Sequence, residues 1–271
     1  MKFPINLCQP DGRKSCGACC GIYNFKNNSK SHLSHRLCRN TRSLQSRSSS
    51  FESVVLFHSA KYRAEDNGQA KLFQTIFNCE YVGFLDENRL RVGCLLHPSL
   101  HRGRDYRDFS FYGAELCAGH FCLSYYYLTA EEQRLVIDTV HDWYLYGLTI
   151  TDIDLVKGVF RVLSDRVGEA IDPEKVGSRE VLASIVRTFF KLKLDWPYRP
   201  NDGSRFGKYV FRGDEYRQVS VPYEKFGLKR SFFDSIFVAY GSEFSSSDEI
   251  MKAERKMEEL VEAFARKYRQ V

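Results

Sequence analysis

The sequence predicts a mainly α-helical protein with minor β structure, in which a loop-rich cysteine and metal module packs with a helical C-terminal part. All nine cysteines of the 271-residue chain fall before residue 123. After that point, apolar residues recur at helical spacing behind helix-start signals. We therefore predict a cysteine-rich metal-binding module over residues 1–125. A mostly helical region follows over 126–271, with a β-hairpin near 206–221.

Composition narrows the class of protein. Hydrophobic residues make up 43% and charged residues 27%, which is ordinary for a globular protein. No apolar run approaches the ~20 residues of a membrane helix, and the opening MKFPINLCQPDG lacks the apolar region of a secretory signal. We expect a cytoplasmic protein without a membrane partner, whose thiols stay reduced. An odd number of cysteines also excludes complete internal pairing as disulfides.

The first fifty residues are strongly basic, with nine Lys or Arg against the single acid Asp11. A phosphate- or nucleic-acid-binding arm over residues 26–47 is one interpretation. We favour a solvated loop or short basic helix between two core segments, because charge runs usually form solvated faces. Few aromatic residues interrupt the segment, which argues against a stacking platform for single strands. Nucleic acid is therefore a disfavoured partner that this segment leaves open.

Four helices are predicted in the C-terminal part, with a hairpin turning at Gly213-Asp214 before the last of them. The first helix starts at a capping box formed by Thr129 and Glu132 and stops at Gly147, and the second starts at Thr151. The third starts at Ser178 and ends before Trp196-Pro197, and the last starts at a capping box formed by Ser246 and Glu249. This part carries no phosphate loop and no Ser/His/Asp order. His141 is interpreted as a partly buried core residue, so no catalytic residue is assigned.

Three cysteines crowd into the stretch SCGACCG. On one helical turn, Cys16, Cys19 and Cys20 would share a face at i, i+3 and i+4. In a tight turn, Cys16 and Cys19 would form a metal knuckle and Cys20 would face a second site. The flanking glycines would let the backbone curl closely around a sulfur or an ion. Both arrangements favour zinc or an iron–sulfur cluster, because thiolates bind soft metals.

Further cysteines supply the remaining ligands. Cys79 and Cys94 flank a predicted hairpin with a DEN turn, and Cys117 and Cys122 stand close together in CAGHFC. With Cys8 added, the thiols suffice for two four-coordinate sites, or for one cluster plus one zinc. The predicted metal ligands are Cys8, Cys16, Cys19, Cys20, Cys79, Cys94, Cys117 and Cys122.

Other residues near these cysteines receive a secondary place. His97 and His120 could each replace a cysteine or donate a hydrogen bond to a thiolate. Cys38 is interpreted as a small apolar residue. The charged run Arg104–Asp108 could line an open metal site in an enzyme, but we favour its interpretation as a solvated loop of paired charges. A redox dithiol formed by Cys16 and Cys19 is disfavoured, because no βαβ pattern surrounds it.

The order of these cysteines resembles the YkgJ-type family of zinc- or iron-chelating proteins. The resemblance covers residues 8–122 and rests on the C-x-x-C-C run and on FLDEN followed by GC. The chain departs from the family pattern in the longer gap between Cys8 and Cys16. It also lacks the proline of the family's Tyr-x-x-Arg-Pro piece, although Arg104 and Arg107 keep its charge. The resemblance implies metal or iron–sulfur binding.

Two classes of function follow from these observations. The first is a metal-binding protein that holds a [4Fe–4S] cluster, zinc or both, with a redox or electron-transfer role and an unidentified protein or small-molecule partner. The alternative is a zinc-structured interaction protein without catalysis, or a metal-dependent enzyme. A branch of the family resembles flagellin lysine methylases, which need a methyl donor, but no glycine-rich donor-binding motif is found. We favour iron–sulfur over zinc, because adjacent thiols beside glycines suit a bulky cluster.

Overall fold

The computed structural model describes residues 5–45, 50–66, 70–200, 205, 210–212, 215–217 and 219–270. It is mainly α-helical with minor β structure, as the sequence predicts. The chain divides into two compact units. The N-terminal unit comprises residues 1–122 and 142–147, and the C-terminal unit comprises residues 123–141 and 148–271. None of the described helices is both long and apolar enough to cross a lipid bilayer.

The N-terminal unit has little regular structure, and much of it is loop. Its elements are helices α1 (Lys30–Leu44), α2 (Phe51–Asp66) and α3 (Gly113–Gly119), strands β1 (Val82–Phe84) and β2 (Val92–Cys94), and 3₁₀ turns at Ala18–Cys20, Pro98–Leu100 and Arg107–Phe109. The first residues of helix α6 (Trp143–Ile150) also belong to this unit.

The basic segment 26–47 forms helix α1 over most of its described length. The side chain of Ser29 accepts the His32 amide and caps the helix, satisfying one of its free N–H groups. Leu33, Leu37 and Leu44 are buried along one face. The segment is therefore an amphipathic helix whose apolar side joins the core.

Strands β1 and β2 form the predicted hairpin after Cys79. They pair antiparallel, with Val82 opposite Cys94 and Phe84 opposite Val92. The Asp86 carboxylate accepts the amides of Leu90 and Arg91 at 3.0 and 2.9 Å and so closes the turn. Cys94 therefore lies at the end of a strand whose position is fixed by its pairing with β1 and by the closed turn.

The C-terminal unit is a helical assembly around an apolar core. Its elements are α4 (Ser124–Tyr127), α5 (Ala130–Thr139), the end of α6, α7 (Ile153–Val167), α8 (Pro173–Gly177), α9 (Glu180–Leu192), strands β3 (Val210–Arg212) and β4 (Glu215–Arg217), a 3₁₀ turn Tyr223–Phe226, α10 (Asp234–Ala239) and α11 (Ser247–Arg269). Strands β3 and β4 pair antiparallel, and the predicted turn at Gly213-Asp214 lies outside the described residues.

The predicted start signals of these helices are partly confirmed. Thr129 and Glu132 form a full capping box, whereas Ser246 caps α11 by accepting the Glu249 amide alone. Two predictions are wrong by one residue: Asp152 caps α7 in place of Thr151, and α9 starts behind Arg179 in place of Ser178. In the first case a carboxylate is available next to the predicted hydroxyl, and it accepts the amide of Leu155.

The prediction that Gly147 ends the first C-terminal helix is wrong. Helix α5 ends at Thr139, and Gly147 lies inside the separate helix α6. A side chain at Gly147 would collide with the hydroxyl of Tyr23, which donates to the Tyr144 carbonyl at 3.0 Å. This glycine is therefore explained by a close side-chain approach rather than by helix termination.

Candidate metal centre

The three clustered cysteines lie in a tight turn, which is the second of the two arrangements that their spacing allows. Ala18–Cys20 forms a single 3₁₀ turn that ends at Gly21, and Cys16 lies before it. The Cys16 amide donates to the Cys8 carbonyl at 2.9 Å, so Cys8 lies beside Cys16. The Ala18 amide faces the Cys16 sulfur at 3.5 Å, a contact that favours a thiolate there.

Backbone contacts also bring Cys20 to the hairpin. The Cys79 amide donates to the Cys20 carbonyl at 2.9 Å. The buried Asn78 donates to the Gly21 carbonyl at 2.7 Å, and a side chain at Gly21 would collide with the Phe77 carbonyl. The close approach of these two chain segments therefore requires a glycine after Cys20. The φ angle of Gly21 is +77°, in the left-handed region that favours glycine.

The last two cysteines lie on and just after the exposed helix α3. Ser110 has its hydroxyl 3.9 Å from the Cys117 sulfur, within reach of a weak hydrogen bond. Cys122 forms a thiol hydrogen bond with Cys19. Residues 113–122 thus face the same turn that carries the clustered cysteines.

The thiols influence one another electrostatically. Burial raises the pKa of the Cys16 thiol well above its usual range, and Cys8, Cys122 and Cys20 raise it further. The hydrogen bond with Cys122 is the main reason that the pKa of Cys19 is raised, and burial adds to it. In a metal-free protein these thiols are protonated at neutral pH.

The hairpin side behaves in the same way. Burial raises the pKa of Cys20 to about 12, and the thiols of Cys94, Cys117 and Cys8 contribute. It also raises the pKa of Cys79 well above its usual range, with Cys20 and Cys94 contributing. The pKa of Cys94 rises to about 11 because of burial, while the Arg107 guanidinium acts in the opposite direction.

These interactions divide the predicted ligands into two sets. The turn set is Cys8, Cys16, Cys19 and Cys122, and the hairpin set is Cys20, Cys79, Cys94 and Cys117. The adjacent residues Cys19 and Cys20 belong to different sets. The division is incomplete, because Cys20 also interacts with Cys8, Cys16 and Cys19 of the turn set.

The donor chemistry fits a thiophilic metal, but no coordination shell is already closed. Within the described part of the chain, no three His, Cys, Asp or Glu side chains surround a common point closely enough to hold a metal ion. Sulfur is the preferred ligand of zinc and of iron–sulfur clusters. Metal binding would therefore require the thiols of each set to turn towards each other.

The two candidate histidines are placed differently. The Nδ1 atom of His97 lies 2.8 Å from the Ser99 hydroxyl, where it caps the 3₁₀ turn Pro98–Leu100. Its pKa is lowered by burial and by Arg107. His120 is exposed directly after α3. The His97 amide donates to the Cys94 carbonyl at 3.3 Å, but neither imidazole ring has a hydrogen bond to a cysteine among the described interactions. Cys38 lies on α1 and lines a separate cavity.

Two residues near the site, Lys14 and Ser110, were not identified from the sequence. Lys14 is fully buried, with its ammonium 2.6 Å from Asp11 and 5.7 Å from the centre of the Tyr146 ring. Neither residue has a sequence signal that could have found it.

Arg107 was identified from the sequence as a residue that keeps the charge of the family pattern, within a run interpreted as a solvated loop. It pairs with Asp105 at 2.6 Å, which lowers the pKa of that carboxyl to about 2.

No protein-family model, curated protein or solved structure matches the chain. The resemblance of residues 8–122 to the YkgJ-type family therefore stays a prediction. The function must be argued from the thiol neighbourhood itself.

Proposed function

We propose that the N-terminal unit binds metal, as an iron–sulfur cluster or zinc, through its eight clustered cysteines. The observation that supports this most is the convergence of thiols from distant parts of the chain. Hydrogen bonds link Cys8 to Cys16, Cys20 to Cys79 and Cys19 to Cys122. Apolar packing alone would not select cysteine at eight neighbouring positions, whereas a soft metal requires it.

The two sets suggest two centres. Four thiolates complete a tetrahedral zinc site or hold one cubane cluster. The turn set and the hairpin set each contain four thiols, and they separate at the peptide between Cys19 and Cys20. The Arg107 guanidinium near Cys94 and Cys117 would offset part of the negative charge of the hairpin set.

The raised thiol pKa values shape the binding reaction. Thiols bind metal as thiolates, so loading at neutral pH releases the protons that burial retains in the metal-free protein. A bound iron–sulfur cluster would supply one-electron transfer, and zinc would supply a structural cross-link. Finding an iron–sulfur cluster would favour an electron-transfer protein. Finding zinc would favour an interaction module or, where one ligand position stays open, a metal-dependent enzyme.

Anaerobic purification with metal analysis tests this proposal. We expect bound metal: a brown protein with visible absorbance if the centre is iron–sulfur, or a colourless protein with zinc. Cys19→Ser and Cys94→Ser should each lower the metal content, and the matched control Cys38→Ser should leave it unchanged. A metal-free protein with nine freely titratable thiols in its folded state would contradict the proposal.

The number of centres has its own test. Cys16→Ser removes one ligand from the turn set and Cys79→Ser one from the hairpin set. With two centres, each variant should lose about half of the metal and the double variant nearly all of it. Complete loss in both single variants would show a single shared centre.

A thiol–disulfide function is a second candidate, because Cys19 and Cys122 already form a thiol pair. In this case the two thiols would form a disulfide, and their two electrons and two protons would pass to an oxidised dithiol or disulfide partner. Mass spectrometry after anaerobic alkylation would then show reversible loss of two free thiols, at Cys19 and Cys122, with no metal in either state.

A further inference from the structure

A cavity of about 490 Å³ lies between helices α1 and α2, and none of the eight clustered cysteines lines it. Its volume is within the range of small-molecule pockets. It is lined by His35, Cys38, Arg39, Arg42 and Ser43 from α1 and by His58, Lys61 and Tyr62 from α2.

The lining is strongly cationic. Arg39, Arg42 and Lys61 are cationic side chains, and the described lining contains no carboxylate. Cationic side chains that line a concave space with low-dielectric walls attract anions into it.

The pKa of His58 is affected by the same cationic side chains. Burial is the main cause of its lowered pKa, and the charges of Arg39 and Lys61 lower it further. The Glu80 carbonyl, 2.9 Å from Nε2, and the Glu80 carboxylate act in the opposite direction. That carboxylate accepts the Ser59 hydroxyl at 3.0 Å and is not part of the lining.

One wall of the cavity is held in place from behind. Arg36 is buried on α1, and its guanidinium donates to the Tyr62 hydroxyl at 2.6 Å. The same guanidinium lies 3.9 Å from the centre of the Phe25 ring. The Arg39 guanidinium lies 5.6 Å from the Tyr62 ring. The aromatic wall is thus positioned before any ligand arrives, which reduces the entropy cost of binding.

We propose that this cavity binds a small organic phosphate. Two arginines and a lysine line it, and these are the side chains that bind the oxygens of a phosphate monoester or diphosphate. Arginine donates to phosphate oxygens in pairs, and lysine adds a point charge. The Tyr62 ring lines the same cavity and would contact the organic group. The sequence indicated a phosphate-binding segment at 26–47, but this ligand would lie in a pocket rather than along an extended arm.

Calorimetric titration of the full chain tests the proposal, with ADP and pyrophosphate as probes and adenosine as the uncharged comparison. We expect ADP and pyrophosphate to bind and adenosine not to bind. Arg42→Gln and Lys61→Gln should each weaken ADP binding about tenfold. Lys26→Gln removes an exposed cation from the same basic segment outside the cavity and should leave the Kd unchanged.

A second measurement does not depend on the variants. A bound anion would offset the charges of Arg39 and Lys61, so ADP should raise the pKa of the His58 ring in an NMR titration. The absence of binding, or equal weakening by Lys26→Gln, would overturn the proposal. So would displacement of ADP by short single-stranded RNA that binds more tightly, because that result would identify a nucleic-acid surface.

Discussion

The two units reach stability by different means. In the C-terminal unit, large side chains such as Val159, Phe189 and Phe264 are completely buried between helices α7, α9 and α11. In the N-terminal unit, buried apolar residues such as Val55 and Leu96 are accompanied by many buried polar groups. The N-terminal unit therefore depends on polar side chains that satisfy loop backbone, and the C-terminal unit depends on apolar packing.

The loops of the N-terminal unit show what this costs. Asn24 donates to the Phe73 and Ile76 carbonyls, and Ser15 donates to the Val92 carbonyl and accepts its amide. Each such bond contributes only ~1 kcal/mol net. If the proposed metal binds, its bonds to the cysteines would add stability to this loop-rich unit. The difference between the units therefore suggests where a metal would matter: in the unit that relies on polar contacts, and not in the one that relies on apolar packing.

Removal of the proposed metal should give the largest difference in stability between the two units. Thiolate-bound metal contributes ~10–16 kcal/mol of coupled folding free energy in small zinc domains. After chelation we expect amides of residues 76–122 to lose hydrogen-exchange protection, while α7, α9 and α11 keep theirs. Mass spectrometry of exchanged peptides measures both regions at once. Equal loss in both units, or no loss in either, would show that metal does not distinguish them.

A cavity created by mutation in the helical core should have the opposite effect, lowering the stability of the C-terminal unit without changing the metal content. Phe189→Ala removes a completely buried ring from α9 and should lower the free energy of unfolding of the C-terminal unit by ~3–5 kcal/mol. Metal content should stay at the wild-type level. The control Val181→Ala alters an exposed position of the same helix and should change stability by less than ~0.5 kcal/mol. Metal loss in Phe189→Ala alone would break the comparison.

The sequence predicts the helical unit better than the loop-rich one. The amphipathic spacing of α7, α9 and α11 is a local signal that survives in the fold. Gly147 was misinterpreted because its role depends on Tyr23, which is distant in the chain. The buried pair formed by Lys14 and Asp11 has no periodic signal at all.

The same limit applies to the candidate site. Cysteine spacing indicates the eight proposed ligands, since closely spaced thiols are a local signature. It does not indicate which thiols meet, because that depends on the turn at Ala18–Cys20 and on the contact of Cys79 with Cys20. The cavity between α1 and α2 could not be predicted from the sequence, because it forms only when the two helices lie side by side. Its charges were therefore interpreted as part of a solvated run.

Loss of a single polar side chain should weaken only the loop-rich unit. Asn78 is buried and donates to the Gly21 carbonyl, next to both Cys20 and Cys79. Asn78→Ala removes this donor and also the oxygen that accepts from the Asn24 side chain, while the Gly21 carbonyl keeps the Asn24 amide as a donor. We expect a cost of ~1–3 kcal/mol in the unfolding of this unit. Metal affinity should fall as well, because Cys79 loses its support.

Two measurements check the Asn78 prediction. Chemical denaturation followed by fluorescence gives the change in stability, and competition with a chelator gives the change in metal affinity. Asn88→Ala, at an exposed position in the β1–β2 turn, is the matched control and should match the wild type in both. An Asn78→Ala protein with unchanged stability would show that this contact is replaced by water.

The smallest effect concerns pH and again belongs to the N-terminal unit. The pKa of His58 is lowered mainly by burial, so the folded chain binds this proton less tightly than the unfolded chain, whose His titrates near pH 6.5. The stability that neutral His58 provides is present above pH 6.5 and is lost as the pH falls through the lowered pKa, by at most about 1.4 kcal/mol per pH unit. His58→Gln keeps a donor for the Glu80 carbonyl but cannot titrate. Thermal melts between pH 7 and 5 should therefore fall less steeply for His58→Gln than for the wild type, and parallel slopes would assign the acid sensitivity to other groups.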